Sequence, residues 1–228
     1  MKNFDQQKFD DFVLKNNVIG FFDQPITLKS GRISHWYVNW RTVSNDVHLL
    51  DQLTDFVINF IKDNNLKPNC FYAVPEGATK LGIITQYKWA MSQLDYPSKN
   101  YPLAMGRGKP KEHGQPQDRY FIGTPQGKTI VVEDVTTTGG SLLETIKSLK
   151  EAKTNIVAVL TLTDRMEKTD KGQSVKNLVK QEGIDFYRLS DAISLLPQAY
   201  QKFQPSKTVG QEVESYFRKY GVKPLKLT

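Results

Sequence analysis

Two adjacent carboxylates, followed at once by a turn rich in hydroxyl groups and glycines, form the part of this sequence best suited to chemistry. The carboxylates are Glu133 and Asp134, and the turn contains Thr137, Thr138, Gly139, Gly140 and Ser141. Glycines let the backbone approach an anion closely, and the first N–H groups of a helix, together with hydroxyl donors, suit a phosphate. Carboxylates repel a phosphate but accept hydrogen bonds from the vicinal hydroxyls of a ribose. These residues together predict a site for a ribose 5-phosphate.

The flanking residues place this turn between a strand and a helix. Residues 129–132 are a β-branched run, typical of a buried parallel strand, and 142–149 carry leucine and isoleucine at helical spacing. Ligands of open α/β sheets bind at the carboxyl ends of the strands. No lysine follows the glycines as in a Walker loop, and the G-x-G-x-x-G spacing of a dinucleotide site is missing. The alternative to a ribose 5-phosphate site is an ordinary strand-to-helix turn that binds no ligand.

Two further apolar runs, 69–74 and 156–163, predict strands that end near the same place. The first runs into a turn at 75–82 that enters a helix and can furnish a second anion site. Lys80 in that turn is either a ligand or, as we favour, a surface lysine. The second run is followed by Arg165, whose guanidinium suits a carboxylate substrate but could equally pair with a helix or face solvent.

An aromatic and β-branched stretch at 26–41 predicts a β-hairpin with a glycine in its turn. Lys29 and Arg32 flank the turn, and the aromatic residues include Trp36 and Tyr37. Most of these aromatic side chains could be ordinary core. The hairpin could equally stack on a flat anionic ring and pair with its charge.

A basic loop is expected at 106–119, where glycines, prolines and cationic residues leave almost no apolar content. Such a segment cannot pack against a core, so we expect a flexible surface loop. It could be a solvated basic loop or a nucleic-acid patch. A catalytic lid that closes over a polyphosphate needs this same combination of cations, a histidine and glycine hinges.

The remaining periodic segments complete an α/β pattern. A helix is expected at 44–62, capped by Ser44 or Asn45. Further helices are expected at 4–16, 174–182, 190–200 and 206–220, and further strands at 101–105 and 184–189.

Composition indicates an ordinary globular protein. The 228 residues, 39% hydrophobic and 24% charged, fit one α/β domain with an elaboration, or at most two small domains. The single cysteine, Cys70, excludes an intrachain disulfide and favours a reducing, cytoplasmic location. No apolar run approaches the length of a membrane span, and the polar start of the chain does not resemble a signal peptide. The net charge of +7 fits a basic surface, a nucleic acid or a polyanionic small substrate.

The stretch 129–142 resembles the binding motif for phosphoribosyl pyrophosphate (PRPP) in type I phosphoribosyltransferases, and the chain is similar to the orotate phosphoribosyltransferases. Four matches fall in order: TLKSGR at 27–32, the turn at 75–82, RGKPKEHG at 107–114, and VVEDVTTTGGS at 131–141 with Asp164 and Arg165 downstream. The resemblance implies a mostly parallel central sheet flanked by helices. It also implies an N-terminal hood at 1–43 that contains the hairpin, a core at 44–228 and a flexible catalytic loop.

The resemblance also implies roles for the matching residues. Glu133 and Asp134 would hold the ribose hydroxyls, and the turn at 137–141 the 5-phosphate. Arg165 would bind the orotate carboxylate, with Tyr37 and Thr137 near the base and Lys29 between orotate and the diphosphate. The pyrophosphate would be gripped by lid residues, in this family from the neighbouring subunit: Arg107, Lys109, Lys111 and His113. Lys29, Lys111, His113 and Asp134 would be the catalytic residues.

A member of this family would be a cytoplasmic homodimeric transferase of pyrimidine biosynthesis, with Mg²⁺ bound mainly through PRPP and with neither nucleic acid nor membrane as partner. Two departures bear on the pyrophosphate. Gly108 stands where the family usually has a basic residue, and Glu76, Gly77 and Ala78 stand where many members have a lysine. The alternatives are a purine-type phosphoribosyltransferase, disfavoured by the lid and Arg165, and a non-catalytic PRPP-sensing regulator, disfavoured because no helix-turn-helix precedes residue 26.

Overall fold

The computed structural model describes residues 3–108 and 120–228, so most of the loop expected at 106–119 lies outside the described residues. The helices are α1 (Gln6–Lys15), α2 (Arg41–Ser44), α3 (Val47–Asp63), α4 (Thr79–Met91), α5 (Gly140–Glu151), α6 (Val175–Gln181), α7 (Ala192–Phe203) and α8 (Lys207–Tyr220), with a 3₁₀ turn at Tyr96–Ser98. The strands are β1 (Ile19–Thr27), β2 (Ile33–Val38), β3 (Cys70–Ala73), β4 (Met105–Gly106), β5 (Phe121–Ile122), β6 (Lys128–Thr136), β7 (Asn155–Asp164) and β8 (Asp185–Asp191).

A four-stranded sheet in the order β3-β6-β7-β8 forms the centre, and its neighbouring strands are all parallel. Both faces are covered, which is why its strands read as continuous apolar runs. Side chains alternate along β6, so Ile130 and Val132 belong to one core and Val131 to the other. The first core includes residues of α1, α3, α7 and α8, and the second those of α5 and α6. The predicted parallel sheet flanked by helices is confirmed.

The predicted hairpin is present but starts earlier than expected. Strands β1 and β2 pair antiparallel from Ile19 opposite Val38 to Thr27 opposite Ile33, with an irregularity between Phe21 and Ile26. Trp36 and Val38 are buried in the same core as α1 and α3. Both aromatic residues of β2 contact this core, Trp36 fully buried and Tyr37 partly buried.

The expected start of the long helix was wrong by a few residues. Residues 41–44 form the short helix α2, and α3 begins at Val47. Its cap is Asp46, whose carboxylate accepts from the N–H of Leu49 at 2.8 Å, and not Ser44 or Asn45. An aspartate at this position satisfies one of the otherwise unpaired N–H groups of the first turn.

The strand expected at 101–105 is reduced to the two residues of β4, which pair antiparallel with β5. Pro102 has no N–H for a ladder, and its carbonyl accepts instead from Nε2 of Gln86 at 2.8 Å. A side chain from α4 therefore takes the place of a neighbouring strand here.

None of the helices in the described part of the chain has the length and apolar character that a membrane crossing requires.

Gln86 on α4 joins three backbone segments and gives a test of the fold. It is 2% exposed; its Nε2 donates to the carbonyls of Asn69 and Pro102, and its Oε1 accepts from the N–H of Phe71. Gln86→Leu leaves these backbone groups buried without partners and should lower the free energy of unfolding by about 3 kcal/mol. Urea unfolding measures this.

The matched control is Gln7→Leu, the same change at an exposed position on α1. It should alter the free energy of unfolding by less than about 0.5 kcal/mol. Equal stability of the two variants would contradict the bridging role of Gln86.

Candidate active site

A cleft of about 560 Å³ opens where β6 and β7 end. Its walls come from segments that are distant in the sequence. The hairpin region contributes 28–30 and 37–41, and the turn after β3 contributes 75–77. The last part of β6 contributes 133–135, the turn that follows contributes 137–141, and Glu144 and Arg165 complete the wall. The cleft lies at the carboxyl edge of the sheet, where an open α/β fold binds its ligands.

Most of the predicted site residues meet in this cleft. They are Lys29, Tyr37, Glu133, Asp134, Thr137, Thr138, Gly139, Gly140, Ser141 and Arg165. Asn39, Arg41 and Glu144 line it too, and the sequence analysis missed them. The basic charge of Arg41 directly after the aromatic stretch was the available signal for one of them.

The acidic pair lies within β6, which continues four residues beyond the predicted strand because β7 pairs with it as far as Asp164. Glu133 is buried and Asp134 is half-buried. Burial, and next the charge of Asp134, raise the pKa of Glu133 well above its ordinary value, an effect that Lys29 partly offsets. A carboxylate pair in this setting favours ligands that bring hydrogen-bond donors or positive charge.

The turn after β3 packs directly on the acidic pair. A Cβ atom added to Gly77 would lie 2.6 Å from Oδ2 of Asp134, so a larger residue at position 77 would displace that carboxylate. From its sequence, this turn could furnish a second anion site. In the structure its Gly77 makes room for the carboxylate on the neighbouring strand.

The glycine turn has the geometry of an anion cradle. Gly139 adopts a left-handed conformation (φ 76°) and caps α5, and a Cβ there would crowd Val175 at 3.0 Å. A Cβ at Gly140, by contrast, would meet nothing within 4 Å among the described residues. The turn therefore offers open backbone N–H groups at the N-terminus of a three-turn helix.

Lys29 connects the hairpin to this turn. Its Nζ donates to Oγ of Ser141 at 2.9 Å, although the two residues are 112 positions apart. The ammonium group therefore lies between the hairpin and the glycine turn. Tyr37 on β2 is half-buried and lines the same cleft.

Arg165 reaches the cleft from a buried position. Its side chain is 2% exposed, its Nε donates to Glu167 at 2.7 Å, and its guanidinium lies 3.7 Å from the ring centre of Trp36. Its Nη1 is buried and has no hydrogen-bond partner within residues 3–108 and 120–228. A buried guanidinium nitrogen without a partner at the wall of a cleft favours an anionic ligand there.

Three other residues considered from the sequence, Arg32, Trp36 and Lys80, do not line the cleft. Arg32 is buried, donates to Glu167 at 2.9 Å and does not line the cleft as described; of the two possibilities left open for the hairpin, these contacts favour a structural one for this residue. Trp36 is core. Lys80 is exposed and donates to Asn45 at 2.8 Å, which agrees with the surface interpretation.

The expected lid is described only at its beginning. The N–H of Arg107 donates to the carbonyl of Tyr120 at 2.9 Å and its Nε to that of Phe121 at 3.1 Å. Gly108 lies against Glu76, because a Cβ atom there would be 2.5 Å from Oε1 of that residue. The predicted lid residues beyond it, Lys109, Lys111 and His113, lie outside the described residues.

No group of three or more His, Cys, Asp or Glu side chains within the described ranges is arranged to hold a metal ion.

Solved structures with this fold place the chain among the phosphoribosyltransferases. The orotate phosphoribosyltransferase of Francisella tularensis superposes with a TM-score of 0.67 at 25% identity and covers 94% of this chain and 99% of its own. The UMP synthase of Leishmania donovani gives a TM-score of 0.68 at 18% identity, over 93% of this chain and 42% of its own. No protein-family model matches the sequence.

Curated relatives identify the family. The orotate phosphoribosyltransferase of Marinobacter nauticus is 30% identical over 220 residues, 95% of this chain and 98% of the relative. That of Bradyrhizobium diazoefficiens is 35% identical over 151 residues, 62% of this chain and 74% of the relative. The chain belongs to the orotate phosphoribosyltransferase family, and the resemblance seen in the sequence is confirmed.

The raised pKa of Glu133 predicts a pH-dependent stability. Between its ordinary pKa of 4.5 and its higher value in the folded protein, the native state holds a proton that the unfolded chain releases. Wild-type stability therefore falls as pH rises through this window. Glu133→Gln removes that loss. Its free energy of unfolding relative to wild type should therefore be lowest near about pH 4.5 and higher at about pH 8.

Urea unfolding at several pH values measures this difference. Glu151→Gln, an exposed change on α5, is the control and should show no trend with pH. A Glu133→Gln advantage that stays constant with pH would contradict the protonated state of Glu133.

Proposed function

We propose that this protein transfers the 5-phosphoribosyl group of PRPP to orotate, giving orotidine 5′-monophosphate and pyrophosphate in pyrimidine biosynthesis. The observation that carries the proposal is the single cleft in which the acidic pair, the glycine turn and Arg165 meet. Family membership names the reaction, and this arrangement supplies groups for both substrates.

The donor half of the cleft suits PRPP. Glu133 and Asp134 present carboxylate oxygens that can accept from the two ribose hydroxyls, which would favour the ionised form of Glu133 on binding. The turn at 137–141 offers backbone N–H groups, hydroxyls and the positive end of α5 to the 5-phosphate. The two parts adjoin along the chain, as the ribose and its phosphate do in the substrate.

The acceptor half suits orotate. The unpaired Nη1 of Arg165 can donate to the carboxylate of the base, and Tyr37 lines the same region. Lys29, held against Ser141, lies between the two halves, where the diphosphate leaves and the base enters. Thr137, the first residue after β6, lines the cleft as well, and we assign it to both substrates on the sequence match.

Catalysis in this proposal is mainly positioning and charge stabilisation. The bond from ribose C1 to the pyrophosphate oxygen breaks through an oxocarbenium-like state, while a ring nitrogen of orotate attacks C1 and its proton passes to solvent or to the leaving pyrophosphate. Asp134 and Glu133 hold the ribose, and Lys29 places a positive charge beside the leaving group. Closure of a lid over the cleft would exclude water that would otherwise capture the cation.

The leaving pyrophosphate needs further positive charge. We assign it to Arg107, Lys109, Lys111 and His113 on the sequence match, together with Mg²⁺, which would neutralise charge on the diphosphate when bound. Because no acidic cluster within the described ranges is arranged to hold a metal ion, Mg²⁺ would be held mainly through the oxygens of PRPP itself. Glu76 stands where many relatives carry a lysine, so this chain relies more on the ion and the lid for that charge.

The proposal includes a cytoplasmic homodimer of a chain built from a hood at 1–43 and a core at 44–228. Large apolar side chains are exposed on α4, including Tyr87 and Met91, and beside it at Leu103 and Ile122. Because α4 and β4 are in contact and the lid begins next to β4, a partner covering this face would lie beside the lid. That supports a lid shared between subunits.

The direct test follows orotate absorbance with PRPP and Mg²⁺, omitting each in turn, beside a panel of purine bases. Orotate should be consumed only in the complete mixture, and purines should be left unchanged. Consumption of a purine in place of orotate would support the purine-type alternative, and binding of PRPP without any turnover would support the regulator.

Arg165→Lys tests the acceptor half. Lysine keeps the charge but loses the planar fork, so the KM for orotate should rise by about tenfold or more, corresponding to about 1–3 kcal/mol, with a much smaller change for PRPP. Arg188→Lys, the same change in a partly exposed ion pair on β8, is the control and should alter neither. Equal effects on both substrates would give Arg165 a structural role.

A mixing experiment tests the shared lid. Lys111→Ala and Asp134→Ala should each be nearly inactive, but in a mixed dimer one site receives both defects and the other receives none, so activity should partly return. The control mixes Lys111→Ala with Arg107→Ala, where both sites keep a damaged lid. Failure of the first mixture to recover activity after subunit exchange would place the lid in its own subunit's site.

A further inference from the structure

A buried polar network behind Arg165 takes no part in the mechanism above. At its centre is Glu167, which is 1% exposed. Its Oε1 accepts from Nε of Arg165 at 2.7 Å, and its Oε2 accepts from Nη1 of Arg32 at 2.9 Å and from the hydroxyl of Tyr216 at 2.8 Å. One carboxylate therefore joins the hairpin, the segment after β7 and α8.

This network fixes the direction of the Arg165 guanidinium. The group is planar, so holding one nitrogen and one face determines where the others point. Glu167 holds Nε, and Trp36 holds the face. Nη2 lies 3.4 Å from Oγ of Ser34. Nη1 is then the nitrogen of this group that has no partner in the described structure, on a residue that lines the cleft.

Helix α8 supports the arrangement from behind. Besides the hydroxyl of Tyr216, it supplies Phe217, whose ring stacks on Trp36 with centres 5.8 Å apart and planes at 27°. A backbone hydrogen bond also joins α8 to the segment after β7: the N–H of Lys168 donates to the carbonyl of Tyr220 at 2.7 Å. The last helix therefore determines how firmly Arg165 is held.

The charge of the network indicates more than a structural role. Two guanidinium groups share the buried carboxylate of Glu167, and the exposed Asp170, 3.5 Å from Arg32, is a weaker second partner for one of them. An unpaired buried donor is costly, and this network holds two in the described structure: Nε1 of Trp36, which is not part of the cleft wall, and Nη1 of Arg165. Within the described chain, Nη1 of Arg165 is left without a partner at the cleft wall.

We infer that Glu167 and Tyr216 are positioning residues that set the preference of the cleft for a carboxylated base by aiming Nη1 of Arg165 at the carboxylate. The inference rests on the proposed function, in which that carboxylate belongs to orotate. It extends the determinants of base choice from the cleft to α8, whose residues touch no substrate.

Tyr216→Phe tests this role with the least disturbance, since it removes one hydroxyl and keeps the ring. The KM for orotate should rise by about threefold to tenfold, while the KM for PRPP stays within about twofold. The control is Tyr220→Phe, one turn later on α8; in the described structure its hydroxyl makes no hydrogen bond to Glu167. That variant should match wild type for both substrates.

A binding measurement separates aiming from a general loss of structure. Calorimetry of Tyr216→Phe should show weaker binding of orotidine 5′-monophosphate and unchanged binding of uridine 5′-monophosphate, which lacks the carboxylate. Glu167→Gln should show the same pattern more strongly. If it is too unstable to measure, Tyr216→Phe decides the question.

An unchanged orotate KM in Tyr216→Phe, or equal losses for both nucleotides, would overturn the positioning role. Those results with an active wild-type enzyme would leave the proposed function standing. A wild-type protein that consumes no orotate and binds both nucleotides equally would overturn the proposed function as well.

Discussion

The parallel pairing of β6 with β7 is the constraint on which the cleft depends. Thr136 pairs with Asp164, and the N–H of Arg165 donates to the carbonyl of Thr136 at 2.9 Å, one step beyond the last pair. This register brings Glu133 and Asp134 of β6 and the guanidinium of Arg165, which follows β7, to the same edge of the sheet. A slip of one residue would turn the side chains of β6 to opposite faces, so that Val131 would exchange cores with Ile130 and Val132.

The cleft is prepared for ligands at a cost in stability. Burial raises the pKa of Glu133, and the charge of Asp134 adds to the effect. In the same cleft, Arg165 keeps one nitrogen unpaired in the described structure. Each of these features is unfavourable in the empty protein and becomes favourable when the complementary group of a substrate arrives. Preorganisation of this kind stabilises developing charge without rearrangement during the reaction.

Local patterns predicted the parts of the fold that depend on neighbouring residues. The β-branched runs gave the central strands, and the glycine turn gave the start of α5. Features that depend on distant residues could not be predicted. Arg32 looked like a ligand until the structure paired it with Glu167, 135 positions away. The strand expected at 101–105 was lost because Gln86 takes the carbonyl of Pro102.

The two walls of the cleft come from different parts of the chain. The sugar and its phosphate would meet a continuous segment, 133–141, whereas Arg165 is held by the hairpin and α8. Mutations in the last helix can therefore change how the acceptor is recognised while the donor segment stays intact. In evolutionary terms, such an arrangement lets acceptor specificity diverge while the chemistry of the sugar donor is retained.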